Sequence, residues 1–170
     1  MDYNLSDEVK NAISIAQSIA KEYSNEKISP AHLLKGLLHK DIELIPFLDN
    51  LGKDYYYMEE WAEVRIESYP KGSKVPERPP ADESLQTAFN EADNIRLKMG
   101  KDEIDAISML ASLSTPGVGF SYEQLKTFPV NQNEIIDAVV EKSDLDSVLE
   151  TPGKTEKGKA GATKPKAILK

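Results

Sequence analysis

The spacing of apolar residues near the start of the chain predicts a long amphipathic helix, because these residues recur every three or four positions. They are Leu5, Val9, Ala12, Ile13, Ala16, Ile19, Ala20 and Tyr23. A second, short helix is expected to begin at Ser29-Pro30, since the serine hydroxyl can cap a helix and a proline at the first position loses no needed N–H. Its buried side would carry Leu33, Leu34, Leu37 and Leu38.

Two further helices and a loop follow. The third helix is predicted over residues 42–51, where Gly52 ends it, and the fourth runs from a cap at Asp54 to Tyr69. Residues 70–80 contain four prolines and one glycine, so this segment is predicted to be a loop.

After this loop the apolar pattern starts again, at a constant offset along the chain. At this offset eight apolar positions match: Val9 with Leu85, Ala12 with Ala88, Ala16 with Ala92, Tyr23 with Met99, Ile28 with Ile104, Leu33 with Met109, Leu34 with Leu110, and Leu37 with Leu113. The second copy continues with a capping box from Ser121 to Gln124 and with a last helix capped by Asn131. The predicted fold class is therefore all-α, with two tandem pseudo-symmetric four-helix repeats, about residues 5–69 and 81–142, in one domain of residues 1–150.

The charge of the chain divides into two unlike parts. The 170 residues carry a net charge of −8. Residues 151–170 hold six lysines against one glutamate, a net charge of +5, which leaves −13 for residues 1–150. The basic segment is rich in Gly, Lys, Ala and Thr, and we expect a flexible linker. The acidic balance of the domain argues against nucleic acid or an anionic membrane as its main partner.

Composition excludes several kinds of chemistry. The chain has no cysteine, which excludes disulfides, thiolate metal sites and thiol catalysis and is compatible with the cytoplasm. No apolar run approaches the roughly 20 residues of a membrane span. The two histidines lack neighbouring carboxylates at ligand spacing, so His32 is interpreted as a core or capping residue. His39, at a helix end, is interpreted as solvated or as a partner of the last helix carbonyls. We therefore expect no catalytic residue, metal or cofactor in this chain.

The aromatic residues leave two interpretations open. Tyr57 and Trp61 are four positions apart on the fourth predicted helix, which places them on one side of it. They could form a recognition patch, or they could pack together on a buried face. Packing is the simpler expectation for aromatic residues at helical spacing.

The duplicated pattern carries a resemblance to a known family. The first repeat contains Ala16-Gln17 and then Ile28-Ser29-Pro30-Ala31-His32-Leu33-Leu34-Lys35-Gly36-Leu37-Leu38, and the second contains Ala92-Asp93, Gly100 and Ile104 through Leu113. Over about residues 5–142 this resembles the N-terminal domain of Clp-type AAA+ unfoldases. The resemblance implies that the basic tail leads toward an AAA+ module.

The resemblance also implies a function in recognition. Such N-domains do not catalyse; they bind substrates, adaptors or assembly partners for an ATPase ring. ATP and magnesium are then expected in other modules, the isolated domain is expected to be a monomer, and the parent a hexameric bacterial protein of the cytoplasm.

Departures from two branches of the family direct the choice among its members. Positions that read phosphorylated arginine in ClpC-like domains fall on Ala31 and Ile107, which cannot do so. The groove positions of ClpB-like domains fall on Glu91, Ile95 and Ser108, of which only Ile95 is apolar.

A ClpV-like (TssH-like) N-domain is therefore the favoured interpretation. It would bind a helix of a sheath protein in a hydrophobic groove near the first helix, so that the ATPase can dismantle contracted type VI secretion sheaths. The alternatives are a ClpB-like disaggregase that binds unfolded polypeptide and an adaptor-binding domain of a Clp protease unfoldase. The candidate groove residues are Tyr3, Leu5, Val9, Phe89, Ile95 and Met99.

Overall fold

The computed structural model describes residues 3–150, and the side chains in that range as far as residue 141. The first repeat comprises α1 (Asp7–Glu22), α2 (Pro30–Leu37), a 3-10 helix (Lys40–Ile42), α3 (Ile45–Asn50) and α4 (Tyr55–Glu67). The second comprises α5 (Glu83–Lys98), α6 (Ala106–Leu113), α7 (Tyr122–Leu125) and α8 (Gln132–Glu150). The all-α fold class is confirmed, since the described residues form helices and a few isolated bridges.

The chain divides into two units. The first ends at Ile136, and the second begins at Asp137, partway along α8. The predicted single domain of residues 1–150 stays a prediction. The predicted linker, residues 151–170, lies outside the described residues.

The internal duplication extends to the ends of the helices. The constant offset that relates Val9 to Leu85 also relates the first and last residues of α1 to those of α5, and the ends of α2 to those of α6. The N-caps correspond as well: Ser6 accepts a hydrogen bond from the Val9 N–H at 3.2 Å, and Asp82 accepts one from the Leu85 N–H at 2.8 Å. Local capping chemistry therefore begins both long helices at equivalent positions.

Each repeat pairs a short extended segment with the other repeat. Leu5, just before α1, forms a parallel bridge with Ile104, and Ala81, just before α5, forms one with Ile28. In the first bridge the Ser6 N–H donates to the Ile104 carbonyl at 3.0 Å, and in the second the Asp82 N–H donates to the Ile28 carbonyl at 2.9 Å. This reciprocal exchange satisfies backbone groups ahead of both long helices and fastens the repeats together.

The core includes residues of α1, α2, α4, α5 and α6, and small residues let the α1–α2 and α5–α6 pairs approach closely. A Cβ added to Gly36 in α2 would lie 2.6 Å from the carbonyl oxygen of Ala12 in α1. At the equivalent place in the second repeat, the Ser112 hydroxyl donates a hydrogen bond to the Ala88 carbonyl. The α1–α2 and α5–α6 pairs are thus packed backbone to backbone.

The third helix differs from its prediction. Residues 42–51 were expected to form one helix, but the structure has a 3-10 helix at Lys40–Ile42 and a separate α3 at Ile45–Asn50. Glu43, between them, adopts a left-handed conformation with φ of 63°. Pro46 lies in the first turn of α3, where its missing N–H costs nothing, whereas it would interrupt a longer helix.

Both helix starts predicted late in the chain are confirmed. The Ser121 hydroxyl accepts from the Gln124 N–H, and the Gln124 side chain accepts from the Ser121 N–H, in a reciprocal capping box. Asn131 and Glu134 form a second reciprocal pair at the start of α8. These polar boxes position the loop between α7 and α8.

Candidate functional site

An apolar groove of about 200 Å³ opens beside α1. Its walls come from the segment before α1, from α1 itself, from α5 and from the end of the connector between the repeats. The lining residues are Tyr3, Leu5, Ile13, Gln17, Ile28, Pro79, Pro80, Ala81 and Phe89. We refer to this surface as the α1 groove; apart from the Gln17 amide and the Tyr3 hydroxyl, its lining side chains are apolar.

The N-terminal wall of the α1 groove is held by stacking and backbone pairing. The rings of Tyr3 and Phe89 stack with centroids 6.0 Å apart and planes 22° from parallel. Leu5 is fixed by its bridge to Ile104. The segment before α1 therefore has a defined geometry, because it is anchored to the second repeat by a side chain, Tyr3, and by its backbone at Leu5.

The opposite wall is the proline-rich connector. The Gln17 amide donates a hydrogen bond to the Pro79 carbonyl at 3.2 Å, and the Ile28 N–H donates to the Pro80 carbonyl at 2.8 Å. Proline offers no N–H and has a fixed φ, so satisfied carbonyls are enough to hold this segment against α1. The connector thus forms part of the groove as well as linking the repeats.

The structure places the six candidate groove residues in three different environments. Tyr3, Leu5 and Phe89 lie together in the lining of the α1 groove. Val9 and Ile95 are both 0% exposed, so they belong to the core and offer no surface to a partner. Met99 is half-buried beyond the end of α5 and is not among the residues that line the groove.

Sequence reasoning missed six of the nine lining residues. Ile13 and Gln17 are four positions apart on α1, beside the row of residues that face the core. This spacing is the sequence feature that could have identified them as neighbours on one surface. Helical periodicity identified the apolar side of α1 but could not separate Ile13 at the edge of that side from Val9 at its centre. The contribution of Pro79 and Pro80 had no local signal, because it depends on how the connector folds back.

A polar cluster, partly buried at Tyr69 and Asp82 and buried at its other members, lies where the two repeats meet, and we call it the inter-repeat junction. It comprises Asn25, Ser29, His32, Tyr69 and Asp82. The Ser29 N–H donates to Nδ1 of His32 at 2.8 Å, so the ring proton is on Nε2, which lies 2.8 Å from the Asn25 Oδ1 that accepts it. Burial lowers the pKa of His32 to about 4, which keeps the ring neutral. His32 is therefore the buried capping residue that the sequence predicted.

The remaining members of the inter-repeat junction are also paired. The Ser29 hydroxyl donates to Oδ2 of Asp82, and the Ala31 N–H donates to the Tyr69 hydroxyl at 3.2 Å. Burial raises the pKa of Tyr69 to about 12, so this hydroxyl stays protonated. Satisfied buried polar groups of this kind specify packing rather than reactivity.

Tyr57 and Trp61 differ in how far they are buried. Trp61 is 4% exposed and packs against Phe120 and Phe128, with ring centroids 4.9 Å and 4.7 Å away. Tyr57 is 43% exposed, and its hydroxyl donates to the Thr127 carbonyl at 2.8 Å. The expected packing therefore holds for Trp61, whereas Tyr57 remains on the surface.

The remaining candidate features are His39, a metal site and a membrane-spanning helix. His39 is half-buried, and its Nδ1 accepts a hydrogen bond from the Asp41 N–H at 3.1 Å, which begins the 3-10 helix. Within the described part of the chain, no group of three or more His, Asp or Glu side chains could hold a metal ion. None of the helices described has the length and apolar character needed to cross a membrane.

Comparison with known proteins gives a consistent fold family. The family described as the Clp repeat (R) N-terminal domain matches residues 4–127. No curated protein sequence matches this chain significantly. The N-terminal domain of Hsp104 from Candida albicans is similar in structure, with a TM-score of 0.66 at 14% identity, over 82% of this chain and 91% of that one.

Two ClpV structures are similar as well. The N-domain of ClpV from Vibrio cholerae has a TM-score of 0.63 at 18% identity, over 86% of each chain. A complex of a ClpV N-domain with a VipB peptide has a TM-score of 0.58 at 17% identity, over 79% of this chain and 88% of that one. At these identities the likeness establishes the fold.

Proposed function

The chain belongs to the Clp repeat (R) N-terminal domain family, and from this premise we propose that it binds a short amphipathic helix of a partner protein in the α1 groove. The observation that carries the proposal is an apolar groove with walls fixed by hydrogen bonds and stacking. A preformed groove of this kind loses little conformational entropy on binding.

The chemistry of the groove defines the occupant. Apolar side chains at i, i+3, i+4 and i+7 of a partner helix would displace water from Tyr3, Leu5 and Ile13. Burial of each aliphatic anchor contributes about 1.5–3 kcal/mol. The Tyr3 hydroxyl and the Gln17 amide are the polar groups available to orient the helix.

Within this family we propose a ClpV-like (TssH-like) role, in which the helix belongs to a sheath protein and the attached ATPase disassembles contracted type VI secretion sheaths. The similarity to ClpV N-domains, one of them in complex with a VipB peptide, supports this choice. In this proposal the chain is a non-catalytic, cytoplasmic binding domain of a hexameric bacterial protein. ATP and magnesium bind in the parent protein's ATPase modules.

A ClpB-like disaggregase is the second candidate, since the Hsp104 N-terminal domain has a similar fold. The positions that would form the groove of ClpB-like domains fall on Glu91, Ile95 and Ser108. Ile95 and Ser108 are both 0% exposed. The α1 groove is thus the better supported binding surface, and an adaptor-binding role in a Clp protease would need a partner for the same groove.

The test compares two isoleucines of the same helix. Ile13 lines the groove, whereas Ile15 is also half-buried on α1 but lies outside the lining. Binding of a fluorescent sheath-derived helical peptide would be followed by anisotropy, with a permanently unfolded protein as competitor. We expect Ile13→Asp to weaken peptide binding roughly tenfold or more, because an apolar anchor is lost, and Ile15→Asp to leave it nearly unchanged.

Two results would change the assignment. Equal losses for both variants would contradict binding in the α1 groove. Preferential binding of the unfolded protein, lost in Ile13→Asp, would keep the groove but favour the disaggregase. Circular dichroism of each variant would establish that its helices remain formed.

A further inference from the structure

Among the side chains that the structure describes, α4 carries more exposed large hydrophobic residues than any other helix. Three of the six exposed large hydrophobic side chains in the described residues lie on it: Tyr56 at 64%, Tyr57 at 43% and Val64 at 58%. Tyr57, Glu60, Val64 and Glu67 follow the three- and four-residue spacing of one helix side. We call this surface, with Tyr56, the α4 face; exposed apolar side chains that gather on one side of a helix are a feature of interaction sites.

The α4 face is also acidic. Glu60 and Glu67 are exposed, and neither makes an ion pair within the described part of the chain. Glu63 pairs with Lys35 at 2.7 Å, and the Arg65 guanidinium lies 3.9 Å from the centre of the Trp61 ring. Lys35 is therefore engaged in an ion pair and Arg65 is held against an aromatic ring, while Glu60 and Glu67 stay available to an external positive charge.

A depression of about 330 Å³ lies in the α4 face. Its walls are Tyr57, Glu60, Trp61, Val64, Arg65 and Thr127. Trp61 donates through Nε1 to the Thr127 hydroxyl at 2.9 Å, and Tyr57 donates to the Thr127 carbonyl at 2.8 Å. Both aromatic side chains are thereby fixed, so the depression is formed before any partner arrives.

From this combination we infer that the α4 face is a second protein-binding surface, which takes a basic amphipathic helix of a partner. An apolar side chain of that helix enters the depression beside Trp61 and Val64, and its lysines or arginines pair with Glu60 and Glu67. Tyrosine and tryptophan are enriched among residues that dominate interface energetics. A second copy of this chain fits poorly, because two α4 faces would bring like charges together.

This surface shares no residue with the lining of the α1 groove. Binding at the α4 face would leave the groove available, so the domain could hold two partners at once, or one partner at two points. The inference therefore stands independently of the proposed function.

Trp61 provides the test, because it is the only tryptophan in the chain. The probe is an amphipathic helical peptide of leucine and lysine without aromatic residues, titrated while Trp61 fluorescence is recorded. A leucine–glutamate peptide is the charge control. We expect saturable binding of the basic peptide and none of the acidic one.

Two pairs of variants locate the binding. Glu60→Lys with Glu67→Lys is expected to weaken binding roughly tenfold, whereas the same charge change at two other exposed acids, Glu22→Lys with Glu103→Lys, should cost about twofold. Val64→Ser is compared with a change at Leu97, which is 59% exposed against 58% for Val64. Val64→Ser should weaken binding roughly fivefold and Leu97→Ser should have no effect.

Several outcomes would overturn the inference. Equal losses in both charge variants would mean general attraction to an acidic protein. Loss of basic-peptide binding in Ile13→Asp would place that peptide in the α1 groove. Concentration-dependent dimerisation abolished by Val64→Ser, measured by sedimentation, would identify a second copy as the occupant.

Discussion

The Ser29 hydroxyl donates a hydrogen bond to Oδ2 of Asp82, 53 residues further along the chain. Ser29 is the N-cap of α2 and Asp82 is the N-cap of α5, so one bond joins a helix start in each repeat. The other oxygen of Asp82 accepts from the Leu85 N–H at 2.8 Å. Asp82 therefore caps its own helix and fastens it to the first repeat with one carboxylate.

Replacement of Asp82 should be more costly than replacement of an ordinary cap. We expect Asp82→Ala to lower the free energy of unfolding by about 2–3 kcal/mol, because both the cap and the partner of the Ser29 hydroxyl are lost. Ser6 is the equivalent cap of α1, and its side chain accepts only from the Val9 N–H among the described residues. Ser6→Ala should cost about 1 kcal/mol. Urea denaturation measures both, and equal costs would contradict a role for the inter-repeat bond.

Because His32 is buried, we expect the free energy of unfolding to decrease as the pH falls. Its pKa is lowered by burial from an ordinary 6.5 to about 4, so between these pH values the unfolded chain binds a proton that the folded chain does not. This contribution to the free energy of unfolding is complete above pH 6.5 and is lost as the pH falls toward 4. The loss can reach on the order of 3 kcal/mol.

Two histidine variants test whether His32 causes this loss of stability in acid. His32→Gln keeps a side-chain acceptor for the Ser29 N–H but cannot titrate, so it should be less stable at neutral pH and should flatten the decline between pH 6.5 and 4. His39, the other of the two histidines, is half-exposed. His39→Gln should leave the decline unchanged. An unaltered decline in His32→Gln would assign the acid sensitivity to the carboxylates.

The fold could be predicted from the sequence because the features that determine the helices are local and occur once in each repeat. The caps, the apolar spacing and the proline-rich loop each act within a short stretch of chain, and the constant offset between the repeats made one repeat a check on the other. The prediction was wrong where this locality ended: the left-handed Glu43 separates two helices that apolar spacing had joined.

The two proposed binding surfaces depend on tertiary structure, which the sequence pattern does not show. Tyr3 and Phe89 are distant in sequence and meet because the segment before α1 pairs with Ile104 in the second repeat. No spacing along the chain encodes that pairing. An amphipathic pattern likewise cannot show that Ile95 faces the core while Ile13, at the edge of its stripe, faces a groove.

The same substitution by aspartate should unfold the protein at Val9 but only abolish peptide binding at Leu5. Val9 is 0% exposed, so Val9→Asp would place a carboxylate in the core and should lower the free energy of unfolding by about 3–5 kcal/mol. Leu5 lines the groove, and the backbone hydrogen bonds that hold its segment to Ile104 are made by Asn4 and Ser6, not by the Leu5 side chain. Leu5→Asp should keep the helical circular dichroism signal and lose peptide binding. A well-folded Val9→Asp variant would contradict the burial.

Gly36 should not tolerate even a methyl group. An added Cβ would lie 2.6 Å from the Ala12 carbonyl oxygen, so the α1 and α2 backbones would have to separate. The second repeat has Ser112 at this place, where the hydroxyl donates to the Ala88 carbonyl and makes use of the close approach. Gly36→Ala is favoured by helix propensity by up to about 1 kcal/mol, but overpacking costs about 1–3 kcal/mol, so we expect net destabilisation.

Ser18→Ala, on the exposed side of α1, also raises helix propensity and should stabilise the protein by a few tenths of a kcal/mol. Thermal denaturation would then show opposite signs for the two variants, and a stabilising Gly36→Ala would mean that the α1–α2 contact is looser than the structure indicates.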